Sequence, residues 1–235
     1  MQPMSLLIAT CVLFVGTHFA LSHPLRAPLA GRMGERSFQI VYSIVAIATF
    51  IMLVQAWRGM PPEPPLWAVG DGLWIFASLL VLLASVLFMG SLVGNPALPA
   101  PNAAFVAQGA PRGVFAITRH PMMWGFALWA AAHALVVPTA AQFTLSATIA
   151  FLALAGSAGQ DVKKARLMGD AWRHWSARTS YIPFARQLSG TTPWGDTIPR
   201  PHALLGGIVL WLAATWGHGA LGYMAAGIWR WIGHG

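Results

Sequence analysis

Long uncharged apolar runs recur from one end of this chain to the other, and they limit its possible folds more than any other feature. A helix needs about 20 mostly apolar residues to cross a hydrocarbon core about 30 Å thick. Runs of that order fall at residues 4–22, 38–57, 73–93, 121–137, 141–156 and 203–229. Only 9% of the 235 residues are charged, against about 25% in an average soluble domain. No soluble surface can be built from so few charges. The expected fold is therefore all-α: a polytopic membrane bundle of about six transmembrane helices in a single membrane domain, residues 1–235.

The links between runs are too short or too broken to fold separately. Pro61, Pro62, Pro64 and Pro65, then Gly70 and Gly72, interrupt the chain after the second run. Residues 94–120 are rich in proline, glycine and alanine, unfit to span but able to lie on the surface or line a cavity. Pro121 suits the first turn of a fourth helix, where its missing N–H would have been unpaired. Residues 157–202 read as an interfacial segment, with Lys163, Lys164 and several arginines among Trp172, Trp175 and Tyr181. The first run lacks a basic leader and a small-residue cleavage site, and reads as a retained helix.

The net charge of +8 is explained by topology and not by nucleic acid, since the cations sit between apolar segments. In a six-span arrangement Arg26, Arg32, Arg36, Arg112, Arg119, Lys163, Lys164, Arg166, Arg173, Arg178, Arg186 and Arg200 fall on one side. Only Arg58 and Arg230 fall on the other. Cytoplasmic loops carry the excess of Lys and Arg, so both termini are expected outside the cytoplasm of a bacterial inner membrane. The single cysteine, Cys11, excludes a disulfide framework or a thiolate metal site.

Ionisable groups inside hydrocarbon are costly and point to function. His18, His133 and His218 qualify, whereas no Asp or Glu lies well inside a span. Neutral imidazole suits iron, because one nitrogen coordinates while the other N–H meets an acceptor. Ala130, Ala131, Ala132 and Ala134 leave room beside His133 for something flat, and Gly125 and Trp129 share its face. The blander expectation is that small residues let helices pack closely and that His133 hydrogen-bonds across an interface. Thr17 stands beside His18 as a candidate partner, and glycines flank His218. Arg119 and His120 sit at the mouth of the fourth helix, where Arg119 either pairs with the carboxylate of a bound cofactor or simply marks topology. His120 and His133 are about 20 Å apart along a helix axis and cannot share one iron.

The stretch Thr118-Arg119-His120-Pro121, followed by Gly125, Trp129 and Ala132-His133, resembles the signature of the NnrU family and the related 15-cis-zeta-carotene isomerases. His18 with Pro24 and Arg26, Gly34-Glu35-Arg36, Gly169-Asp170-Ala171, Arg178-Thr179-Ser180 and Pro183-Phe184-Ala185 extend the likeness over most of the chain. The resemblance implies a heme b held by two histidines, His18 and His133, as metal ligands and catalytic residues. His218, Arg119, His120 and Trp129 are further cofactor-binding candidates. The implied activity is redox-dependent cis-to-trans isomerisation of a hydrophobic polyene, with a redox partner. This chain has Ala130 where the isomerase pattern has a cysteine, so a ligand switch to that thiolate is not expected.

Depth along the helices points elsewhere. His18 lies about 8 Å from its helix end, His133 about 18 Å in, and His218 is nearer the depth of His133. Either His18 or His218 is left as the axial partner of His133. Two other functions stay open: an NnrU-like accessory or sensor protein in nitric-oxide or nitrite metabolism, and, because of the Arg-His-Pro and the later basic region, a membrane S-adenosylmethionine-dependent methyltransferase.

Overall fold

The computed structural model describes residues 2–232, and these are helical with no strand. The long helices are α1 (Pro3–Ser22), α3 (Glu35–Arg58), α4 (Asp71–Gly90), α7 (Pro121–Val136), α8 (Ala140–Met168) and α11 (Pro201–Ala220). Short helices occupy the links: α2 (Arg26–Met33), α5 (Ala103–Val106), α6 (Val114–Ile117), α9 (Asp170–Arg178), α10 (Ala185–Leu188) and α12 (Trp229–Ile232). Five of the long helices are long and apolar enough to cross a membrane. The sixth, α7, has 16 residues and is apolar but shorter. It lies between α4 and α8, so less of it meets lipid.

Local chemistry sets the helix ends. Proline opens α1, α7 and α11 within the first two positions, where no backbone donor is lost. Glu35 lies in the first turn of α3 and Arg58 in its last, each complementing the helix dipole. The start of α8 is capped twice. Thr139 Oγ1 accepts from the Gln142 N–H at 3.2 Å, and Glu63 Oε2 from the Ala141 N–H at 3.1 Å.

Packing partners follow one another in the order α3, α1, α8, α7, α4, α11. The row is curled, since residues from α3 through α11 reach one cavity. Its tightest joints lie on either side of α4. A Cβ on Gly125 of α7 would stand 2.9 Å from the Ala84 carbonyl oxygen, and one on Gly207 of α11 2.7 Å from the Val86 Cα. Only glycine allows these backbones to approach so closely.

Two expected boundaries are corrected. The fifth span was expected to end at residue 156, but α8 runs on to Met168. Gln160 to Met168 contains good helix formers, and the charges that close an apolar run do not close a helix. Asp161, Lys163, Lys164 and Arg166 thus ride on α8 and not on an interfacial segment starting at 157. The last span was expected to reach 229, but α11 ends at Ala220 and the chain turns at Gly222, with φ +79°. The terminal segment folds back, and the Trp229 indole N–H donates to Leu212 O and Thr215 Oγ1.

Candidate functional site

The concave side of the row holds two apolar chambers. One, of about 620 Å³, lies among α4, α7 and α11 and is lined by His133, His218, Trp74 and Tyr223 among others. The other, of about 690 Å³, lies among α1, α3, α7 and α8 and is lined by His18, Tyr42, Phe50 and Lys163 among others. Both volumes fall within the roughly 300–1,000 Å³ of small-molecule sites. Phe126 and Trp129 line both chambers and form the wall between them.

The histidines are held in a common way. His133 Nδ1 lies 2.8 Å from the Trp129 carbonyl oxygen, and His18 Nδ1 lies 2.8 Å from the Phe14 carbonyl oxygen. A carbonyl only accepts, so each Nδ1 is the protonated, donating nitrogen and each Nε2 keeps its lone pair. This is the arrangement that readies an imidazole to bind a metal. Thr17 does not serve His18, because its hydroxyl bonds to Leu13 O and Phe14 O. Nor does His133 bond across a helix interface through Nδ1; it bonds within α7.

Of the sequence-derived candidates, the fold brings together His133, His218 and Trp129. The His133 and His218 ring centres are 5.9 Å apart, and the Trp129 ring centre is 4.0 Å from that of His133. Two imidazoles on opposite sides of one metal ion, each about 2 Å from it, have ring centres about 6 Å apart, so His133 and His218 are the two residues whose spacing could hold one between them. His18 lies in the neighbouring chamber, its ring 4.4 Å from Phe14 and 5.7 Å from Tyr42. It sits four residues before the end of α1, whereas His133 is three residues before the opposite end of α7.

Arg119 and His120 form a separate cluster at the start of α7. Arg119 NH2 lies 2.6 Å from Asp161 Oδ2, and His120 Nε2 lies 2.7 Å from Asp161 Oδ1. The His120 side chain is only 1% exposed and the Asp161 side chain 18%. Thr118 Oγ1 and the Trp124 indole both donate to Tyr181 O, and the Arg119 guanidinium stands 5.5 Å from the Tyr181 ring centre. The carboxylate that Arg119 meets is thus the protein's own. Nothing in the spacing along the chain marks Asp161 as the partner of Arg119 and His120, although it is the lone acid between Asp71 and Asp170.

Six long helices with imidazoles lining apolar chambers define an integral membrane protein of the polytopic helical class. The NnrU protein family model matches residues 6–226, and the chain belongs to that family. It is also similar to 15-cis-zeta-carotene isomerase, chloroplastic, of Arabidopsis thaliana, with 27% identity over 173 residues. The match covers 67% of this chain and 44% of the relative, so the chain spans less than half the length of that protein. No solved structure matches.

Proposed function

We propose that this protein binds a heme b between His133 and His218 and isomerises a cis double bond in a hydrophobic polyene. The observation that carries the reading is the pair of imidazoles 5.9 Å apart in an apolar chamber, one with Nδ1 already engaged. Family membership and the isomerase relative support the same chemistry. Heme would supply a redox-responsive iron centre beside the substrate.

The chain's own residues do the rest. Trp129 O fixes the tautomer and plane of His133, while the Trp129 indole packs against that ring and limits its rotation. Ala132, Ala77 and Val136 give the chamber a largely apolar wall, which would seat a flat or extended apolar molecule. The adjoining chamber past Trp129 would accept the remainder of a long polyene. Were heme held by His133 and His218, an outside redox partner would have to supply or remove its electron, and the bacterial inner membrane is the proposed location.

A second axial pair, His18 with His133, is favoured by one observation: His18 carries the same Nδ1 to carbonyl bond and its chamber shares Trp129. Heme retention separates the two. After detergent purification of the protein from heme-replete cells, His133→Ala and His218→Ala should each remove or strongly shift the Soret band, while His18→Ala leaves it in place. Loss in His18→Ala with retention in His218→Ala selects the second pair. A Soret band absent from the unaltered protein, with S-adenosylmethionine bound instead, overturns heme altogether. Heme bound with no cis-polyene turned over under reducing conditions leaves the accessory or sensor role.

A further inference from the structure

A third cavity lies apart from both chambers, at the cation-rich end of the helix row. It holds about 200 Å³ between the end of α4, the loop after α5, the start of α6 and the start of α11. Arg112, Arg200 and His202 line it. The two arginines are far apart in sequence, yet backbone contacts fix them beside each other. The Gly113 N–H donates to Asp196 O at 2.7 Å, and a Cβ on Gly113 would stand 3.6 Å from Arg200 N.

Six of the twelve cations on this face already have partners, Lys164 among them through Pro96 O and Leu98 O. Arg26 pairs with Glu35, Arg119 with Asp161 and Arg173 with Asp170, while Arg178 and Arg186 donate to backbone carbonyls. Among the described residues Arg112 and Arg200 have neither a carboxylate nor a hydrogen-bond partner. Arg32, Arg36 and Arg166 share that trait but do not line this cavity, and Lys163, also without such a partner, lines the His18 chamber instead. The start of α11 adds the positive end of a 20-residue helix. Exposed apolar side chains adjoin the cavity lining in sequence: in the turn after α4, Val93, which lines it, is 55% exposed and Leu92 46%, and in the first turns of α11 Leu204 is 45% and Leu205 63% exposed.

We propose that this cavity binds the phosphate of an anionic phospholipid headgroup between Arg112, Arg200 and His202, with the acyl chains lying along the exposed side of α4 and α11. Arginine forks match phosphate oxygens, and basic pockets at helix ends hold anionic headgroups in membrane proteins. A lipid is favoured over a free phosphate because exposed apolar side chains, Val93 in the lining and Leu204 and Leu205 just after His202, accompany the cations. The site is independent of heme.

Native mass spectrometry of the full chain in detergent tests this, with phosphatidylglycerol and phosphatidylcholine of identical acyl chains. The unaltered protein should retain phosphatidylglycerol preferentially, and less of it as salt rises. Retention should fall about fivefold for each of Arg112→Gln and Arg200→Gln, fall less in the Arg112→Lys/Arg200→Lys protein, which keeps the charge and loses the forks, and stay close to normal in Arg32→Gln/Arg36→Gln. Equal retention of the two lipids, or no effect of salt on the unaltered protein, overturns the proposal without reliance on any variant. So does equal loss in Arg32→Gln/Arg36→Gln. Inorganic phosphate bound in place of the lipid overturns the lipid assignment.

Discussion

A neutral imidazole in an apolar wall needs an acceptor for its one N–H, and for His133 the Trp129 carbonyl one turn earlier is that acceptor. The same carbonyl fixes which nitrogen faces outward, so position and tautomer are set together. Trp129 also separates the chambers, and Trp129→Ala should join them while leaving the Nδ1 bond, which uses the backbone. The expected result is a shifted, broadened Soret band in a protein that still holds heme, measured by absorption spectroscopy. Asp161 governs a different balance. Asp161→Asn leaves Arg119 without a counter-ion and weakens the bond to His120, so stability in a detergent unfolding titration should drop by about 2 kcal/mol. Asp170→Asn, which loses the exposed pair with Arg173 and a charge in the first turn of α9, should cost less, about 1 kcal/mol or below.

Helix α4 is packed on both sides, by α7 through Gly125 and by α11 through Gly207. Gly207→Leu would drive a side chain into the Val86 backbone and push α11 away from α4, taking His218 away from His133. Overpacking of this kind costs about 1–3 kcal/mol or more, so both the melting temperature and heme retention should fall together. A substitution at Gly217, whose Cβ position is open, should affect stability far less. The spans were legible in the sequence because hydrocarbon imposes a length on any apolar run. The extension of α8 was not, since helix propensity outlasts hydrophobicity once the chain leaves lipid. His133 was legible as an isolated costly group. Its nearness to His218 was readable only as a similar depth, because which helices adjoin is decided by glycine contacts such as Gly207 with Val86, and these are tertiary. The Arg119–Asp161 pair was equally hidden by the distance between its members along the chain.

Across the whole molecule, a ligand seated between α7 and α11 would bridge two helices that both lean on α4. Binding to the folded state alone stabilises it by about 2.7 kcal/mol at a hundredfold excess over the dissociation constant. Adding hemin to protein purified without heme should therefore raise the unfolding midpoint, and His133→Ala should abolish that rise, as followed by intrinsic tryptophan fluorescence. No rise in the unaltered protein would argue against a heme site of any geometry.

The row of helices ends at α3 and α11, which share no substantial packing, and Phe126 in the wall between the chambers is 39% exposed. A molecule dissolved among the lipid tails would therefore reach the proposed site by moving sideways in two dimensions, and its supply would be governed by partition into the bilayer. Turnover in liposomes should then saturate with the mole fraction of substrate in the lipid. Diluting the membrane with inert lipid at fixed total substrate should slow the reaction, whereas adding buffer should not.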